Sequence, residues 1–164
     1  CQWANHLGAT VIAPVGSKEK AELAKKNGCH HTILYRDEDF VARVKEITSG
    51  KLCDVVYDGI GKTTFPSSLV CLRPMGYFVS FGSASGQIDA FNINILQTKG
   101  SLFATRPTLN NYVAKREDLI ATAADLFKVV GSGGRIFGEL EDLELDTGAW
   151  RVENLVLRVR RSIV

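Results

Sequence analysis

Short apolar runs alternate along the chain with segments whose apolar residues recur every three to four positions. Continuous apolar runs of four to six residues are typical of strands that are covered on both faces. They occur at residues 10–15, 32–35, 53–57, 77–81 and 101–105. Helical spacing occurs at residues 2–7, 18–27, 38–47, 63–72 and 117–130. Strands that alternate with helices of this length predict a parallel sheet and an α/β fold.

Polar residues at the segment boundaries predict where several helices begin and end. Ser17 follows Gly16 and is expected to cap the helix that begins at Lys18. Asp37 is expected to cap the next helix, and Gly8 is expected to end the first one in the left-handed conformation.

Composition and charge narrow the class of protein. Of the 164 residues, 45% are hydrophobic and 23% are charged, as in an ordinary globular domain. The net charge of +2 is too small for a polyanion to be bound through bulk charge. No apolar run approaches the roughly 18 residues of a membrane span, and no secretory signal is visible. These features predict a cytoplasmic protein.

The cysteines and histidines do not predict a metal site. Cys1, Cys29, Cys53 and Cys71 lie in apolar surroundings without a C-x-x-C pair, and no histidine lies at metal-ligand spacing from them. Buried structural thiols in a reducing compartment are the simplest interpretation.

The loops at the carboxyl ends of the predicted strands are where a ligand is expected to bind. These loops, at residues 16–20, 35–36, 58–61 and 81–85, are rich in Gly, Ser and Lys. They contain neither a nucleophile with its base nor a spaced pair of carboxylates, so no catalytic residue is assigned. A crevice that binds a cofactor fits them better than a hydrolytic site.

The loop from Gly16 to Lys20 distinguishes between the two dinucleotides. A site selective for NAD normally offers Asp or Glu at this strand end, to bind the ribose hydroxyls. Here a serine and two lysines lie at a helix N-terminus instead. This combination favours an anion such as the 2′-phosphate of NADP(H). The alternative is an ordinary capping serine followed by a solvated helix face.

Several long motifs resemble one protein family over residues 1–137. They read CQWANHLGATVIAPVGSKEKAELAKKNGC, TILYRDEDFVARVKEIT, VVYDGIGKTTF, CLRPMGYFVSFGSASG and KGSLFATRPTL. Together they resemble the zinc-independent, zeta-crystallin-like quinone oxidoreductases of the medium-chain dehydrogenase/reductase family. The resemblance implies a Rossmann-type cofactor domain, a doubly wound parallel sheet, with NADPH as hydride donor and a quinone or another conjugated enone as acceptor.

The resemblance also implies which residues contact the cofactor. Gly16, Ser17 and Lys20 correspond to the 2′-phosphate loop, and Tyr35 to a tyrosine that lies against the adenosine phosphate. Gly59 replaces a serine of the family, so only the apolar contact of Ile60 is expected there. The nicotinamide side is expected to contact Phe81, Gly82, Ser83 and Ala84, and a weaker correspondence adds Pro107 and Thr108.

Two departures from the family pattern affect the expected fold. The glycine-rich fingerprint and the first strand that precede the CQWA helix in the family are absent, which predicts a fragment or a truncated chain. That strand would lie between the strands at residues 10–15 and 53–57, so the sheet is expected to lack its middle strand. The segment 138–164 has no clear counterpart. A helix is predicted from Ala149, with Val152, Leu155, Val156 and Val159 on one face.

The sequence also bears on assembly and leaves alternative functions open. The short strand from Ser101 to Thr105 lies at the sheet edge in the doubly wound order, and an apolar edge favours association. In the resembling family this edge pairs across a twofold axis, so a homodimer is predicted, with capping by the segment 110–115 as the alternative. Two other functions stay open: a non-catalytic NADP-binding remnant, and an RNA-binding module, against which the small net charge argues. The sequence does not name the physiological acceptor.

Overall fold

A computed structural model describes residues 1–131 and the backbone of residues 154–158. The helices are α1 (Gln2–His6), α2 (Lys18–Lys26), α3 (Phe40–Ile47), α4 (Phe65–Val70), α5 (Asn94–Thr98), α6 (Leu109–Tyr112) and α7 (Arg116–Gly131). The strands are β1 (Thr10–Val15), β2 (His31–Leu34), β3 (Cys53–Asp58), β4 (Leu72–Ser80), β5 (Phe103–Thr105) and β6 (Asn154–Arg158). The predicted α/β alternation is confirmed through β5, whereas the short helices α5 and α6 were not predicted.

The six strands form one sheet in the order β2-β1-β6-β3-β4-β5. The pairs β1/β2, β3/β4 and β4/β5 are parallel, which confirms the doubly wound order and places β5 at one edge. The carboxyl ends of these five parallel strands therefore share one edge of the sheet.

The middle of the sheet differs from the prediction. Strand β6 lies between β1 and β3 and is antiparallel to both, with Leu157 opposite Val11 on one side and Val55 on the other. The predicted open gap is thus wrong, and so is the predicted helix over Asn154–Arg158. An apolar run of this length is compatible with a helix or with a strand. A strand here provides hydrogen-bond partners for backbone groups of β1 and β3 that would otherwise lack them. The remainder of the predicted tail helix lies outside the described residues.

Local capping follows the sequence with one correction. Ser17 caps α2 by accepting a hydrogen bond from the Lys20 amide at 3.3 Å, as predicted. Asp39 caps α3, because its Oδ1 accepts from the amides of Val41 and Ala42. Asp37 is not the cap: its amide donates to the Leu34 carbonyl at 2.9 Å in the preceding turn. Gly8 has φ +78°, the predicted left-handed conformation.

Two apolar clusters pack on opposite faces of the sheet. Val11 belongs to the cluster beneath α1 and α2, whereas its neighbour Ile12 belongs to the cluster beneath α3 and α4. This alternation covers β1 on both sides and explains its continuous apolar sequence. Within the described part of the chain, no helix has both the length and the apolar character of a membrane span.

The cysteines lie mainly in these clusters. Cys29, Cys53 and Cys71 are buried, as the sequence predicted, and Cys1 is half-buried; none of the four forms a disulfide within the described part of the chain. Burial raises the pKa of the Cys71 thiol to about 12 and also raises the pKa of Cys29. The raised pKa values favour the protonated thiols of Cys29 and Cys71, and both side chains are part of the packed clusters.

Candidate cofactor site

Two of the loops at the carboxyl edge meet at Gly16 and Tyr35. Gly16 follows β1 and Tyr35 follows β2, and these parallel strands are hydrogen-bonded neighbours. A Cβ at Gly16 would lie 3.0 Å from the Tyr35 hydroxyl oxygen, so the tyrosine side chain lies directly against the glycine. The structure thus brings together two residues that the sequence analysis selected separately.

The first turn of α2 adds hydroxyl and ammonium groups beside this contact. Ser17 is the N-cap, Lys18 is exposed and Lys20 is half-buried. The unsatisfied amides and the dipole of a helix N-terminus favour an anion here. Glu19 lies in the same turn, and a hydrogen bond from the Ser17 hydroxyl lowers the pKa of its carboxyl. An incoming phosphate would therefore compete with Glu19 for the serine.

A buried carboxylate organises the loop after β3. Asp58 is fully buried, and its Oδ1 accepts hydrogen bonds of 2.9 Å from the amides of Ile60 and Gly61. Its Oδ2 accepts hydrogen bonds of 2.8 Å from the hydroxyls of Thr64 and Ser68. The carboxylate thereby fixes the loop to the start of α4. The sequence analysis included Asp58 in the loop but assigned it no role.

The loops that follow β3 and β4 interlock. A Cβ at Gly82 would lie 2.4 Å from the Gly59 carbonyl oxygen, which only a glycine permits. The Ala84 amide donates to the same carbonyl at 3.2 Å, and the Ser85 amide donates to the Ile60 carbonyl at 2.8 Å. Because these amides are used within the protein, the paired loops offer side chains and a rigid wall rather than a phosphate cradle.

The predicted nicotinamide-side residues are gathered along this wall. Ile60, Gly82 and Ala84 take part in the interlocked loops, and Phe81 and Ser83 are exposed beside them. Pro107 and Thr108 follow the edge strand β5 and are half-buried and exposed, respectively.

Arg106 connects that edge-strand segment to the interlocked loops. Its Nη1 donates to the Ser80 hydroxyl at 3.0 Å and to the Gly82 carbonyl at 2.8 Å. The sequence analysis missed this residue, although its place directly after β5 puts it at the carboxyl edge. The residues predicted to contact the cofactor therefore lie in two groups. One group surrounds Gly16, and the other consists of the interlocked loops and the segment after β5, which Arg106 connects by hydrogen bonds.

Comparison with known proteins gives close relatives over most of the chain. A quinone oxidoreductase of Salmonella typhimurium is 50% identical over 133 residues, covering 81% of this chain and 41% of the relative. A 2-haloacrylate reductase of a Burkholderia species is 51% identical over 132 residues, covering 80% of this chain and 40% of the relative. The chain thus spans about two-fifths of the length of these relatives.

A solved structure extends the similarity to the fold. Escherichia coli quinone oxidoreductase complexed with NADPH is 46% identical, with a TM-score of 0.81 over 87% of this chain and 44% of that chain. This similarity confirms the Rossmann-type fold that the strand order indicates.

The family model that matches residues 1–133 is described as zinc-binding dehydrogenase. The described residues do not fit a zinc site: none of their His, Cys, Asp and Glu side chains form a group of three that could hold the ion. Cys71 is moreover a core thiol whose raised pKa disfavours the thiolate that zinc requires. Because the family match covers well over half of the sequence, the chain belongs to the zinc-binding dehydrogenase family.

Proposed function

We propose that this chain forms the NADPH-binding part of a reductase that transfers a hydride to a quinone or another conjugated enone. Relatives named quinone oxidoreductase, and the NADPH in the complex of one of them, support the reaction class. The relative named 2-haloacrylate reductase leaves the acceptor within the broader class of conjugated carbonyl compounds.

The observation that carries the proposal is the set of groups at the carboxyl end of β1. Ser17, Lys18 and Lys20 lie in the first turn of α2, beside the contact between Gly16 and Tyr35. A hydroxyl, two ammonium groups and a helix N-terminus fit a dianionic 2′-phosphate, which NADPH has and NADH lacks.

The remaining predicted contacts fit the opposite end of the cofactor. Ile60 and Phe81 offer apolar surface on the wall of interlocked loops, with Pro107 and Thr108 beyond Arg106. NADPH would supply the hydride chemistry when bound, and the protein would bind and orient it. The rigidity of the wall, fixed by Asp58, would hold the reactive end in one position.

The test is the affinity of the full chain for NADPH and NADH, measured by fluorescence titration. We expect NADPH to bind more tightly, and Lys20→Ala to weaken NADPH by about tenfold to a hundredfold while leaving NADH unchanged, because a charged hydrogen bond contributes about 1.5–3 kcal/mol. Lys26→Ala, at the other end of the same helix, is the matched control. Equal affinities that Lys20→Ala does not change would refute the assignment of the phosphate site.

A second candidate is a cofactor-binding module that catalyses nothing. The described carboxyl edge offers the cofactor binding groups but no general acid or base that the sequence analysis could assign. Oxidation of NADPH in the presence of a simple quinone separates the two candidates, since the module would bind NADPH without consuming it. A salt-dependent RNA titration run alongside tests the RNA-binding alternative.

We further propose that β5 forms the interface of a homodimer. All three residues of β5 are exposed, so segment 110–115 does not cover their side chains. The Phe103 ring stacks on Tyr77 with centroids 4.7 Å apart, and both side chains are about half exposed. An apolar strand edge of this kind favours pairing with a second copy. Phe103→Lys is expected to give a monomer in light scattering, and an unchanged dimer would exclude this interface.

The cytoplasmic location stays a prediction.

A further inference from the structure

A cavity of about 410 Å³ opens beyond the carboxyl ends of β4 and β5, beside the wall of interlocked loops. Its size lies within the range of about 300–1,000 Å³ that is typical of ligand pockets. Its apolar lining comes from Phe65, Phe78, Ile88, Phe91 and Ala104, and its polar lining comes from Ser80, Gln87, Thr105 and Arg106. None of these residues was predicted from the sequence to contact a cofactor or an acceptor.

The aromatic rings make the cavity suited to a flat, apolar molecule. The Phe65 ring packs against Phe78 with centroids 5.4 Å apart and against Phe91 with centroids 4.7 Å apart. Phe91 is 45% exposed, so its ring borders the opening as well as the interior. A planar conjugated ring would bury its faces against these side chains and gain contact area at little entropic cost.

Arg106 is held so that part of its guanidinium remains available. Both of its hydrogen bonds, to Ser80 and to Gly82, use Nη1. Nε and Nη2 donate to none of the described residues. A fixed guanidinium with unused N–H groups beside an apolar cavity is complementary to an oxygen acceptor on the ligand.

We infer that this cavity binds the acceptor of the proposed reaction, a planar conjugated carbonyl compound, and that Arg106 donates a hydrogen bond to its carbonyl oxygen. This inference rests on the proposed function and adds to it the location of the acceptor and a catalytic residue. Because Arg106 also binds the Gly82 carbonyl, the acceptor would lie next to the loop predicted for the nicotinamide side.

The chemistry gives Arg106 a larger role during reduction than during binding. A conjugated carbon that accepts a hydride forms the new C–H bond with the hydride's electron pair, and the displaced π electrons move onto the carbonyl oxygen. That oxygen becomes negative and then takes a proton from water, while the hydride comes from the proposed NADPH, which is oxidised to NADP⁺. A guanidinium fixed in advance stabilises the negative oxygen more than the neutral carbonyl, so it would lower the barrier.

The first test measures binding without any cofactor. Duroquinone is a suitable probe, because its fully substituted ring does not alkylate thiols, and its affinity for the full chain can be measured by isothermal titration calorimetry. We expect Arg106→Met to weaken duroquinone by about tenfold to a hundredfold. Ala104→Phe is expected to abolish its binding by filling the cavity. Arg116→Met removes an exposed arginine at the start of α7 and is the matched control.

The outcomes separate this inference from the proposed function. A wild-type chain that does not bind duroquinone, or variants Arg106→Met and Ala104→Phe that bind it as the wild type does, would overturn the acceptor site. NADPH affinity is measured on the same samples: a wild type that does not bind NADPH refutes the proposed function and leaves the duroquinone result readable. Should Arg106→Met fail to fold, the duroquinone affinities of Arg106→Lys and Ala104→Phe test the inference instead. The lysine keeps the positive charge, so Arg106→Lys is expected to bind duroquinone with an affinity between those of the wild type and Ala104→Phe.

Discussion

Replacing Asp58 with alanine tests whether this buried carboxylate holds the candidate site together. The substitution removes the acceptor of four donor groups, of which the Gly61 amide and the Ser68 hydroxyl are buried. Each buried donor left without a partner costs about 1–3 kcal/mol, so the two together cost about 2–6 kcal/mol. The other two donors, the Ile60 amide and the Thr64 hydroxyl, are only partly buried and can form hydrogen bonds to water instead. The loss is a large fraction of the roughly 5–15 kcal/mol by which domains are stable.

Urea unfolding followed by circular dichroism measures this loss. Asp54→Ala is the matched control, because Asp54 is a strand carboxylate whose ion pair with Arg73 is partly exposed. Its loss is expected to cost less than about 1 kcal/mol. Asp58→Asn keeps an oxygen for the two amides and is expected to fall between these variants. The reasoning is refuted if Asp58→Ala is no less stable than Asp54→Ala.

Three further predictions follow from particular contacts. Gly82→Ala is expected to destabilise the protein by about 1–3 kcal/mol, because its Cβ would lie 2.4 Å from the Gly59 carbonyl oxygen. Gly131→Ala is the control, since no atom of the described residues lies within 4 Å of the added Cβ, and equal melting temperatures of the two variants would contradict the account. Glu19→Gln is expected to tighten NADPH binding without affecting NADH, since it removes a negative charge that competes for the hydroxyl of the capping serine; weaker NADPH binding would contradict this. Burial raises the pKa of Cys71 from 9.0 to about 12, so the unfolded thiol ionises first and the stability that this group contributes is lost as pH rises from about 9 towards 12, by about 1.4 kcal/mol per pH unit. Cys71→Ala should flatten that alkaline decline in chemical unfolding, and an unchanged slope would show that other groups cause it.

Local pattern determines much of this fold. Continuous apolar runs predicted β1 to β5, because strands of a parallel sheet are covered on both faces and tolerate few polar residues. The cap at Ser17 was also predictable from local sequence, because a serine directly before a helical segment commonly caps the helix. The error at Asp37 arose because the segment offers two aspartates, Asp37 and Asp39, as candidate caps, and only the start of the helix at Phe40 decides between them.

Features that depend on distant parts of the chain could not be read in this way. Strand β6 is a strand because it lies between β1 and β3, and its apolar run alone fits a helix equally well. The two contacts of Arg106 span 24 and 26 residues, and Ser68 lies ten residues from Asp58. Rules based on residue spacing predict turns and helix faces, and they do not predict tertiary hydrogen bonds of this kind.

The most direct test of the proposed cofactor site compares two fragments that differ only in the 2′-phosphate. ADP-ribose with and without this phosphate would be titrated into isotopically labelled protein, and the amide chemical shifts followed by NMR. We expect the difference between the two titrations to be confined to the turn around Gly16, Ser17 and Lys20 and to Tyr35, with the phosphorylated fragment binding more tightly. Identical titrations, or a difference that maps elsewhere on the sheet edge, would contradict the assignment of this turn as the 2′-phosphate site.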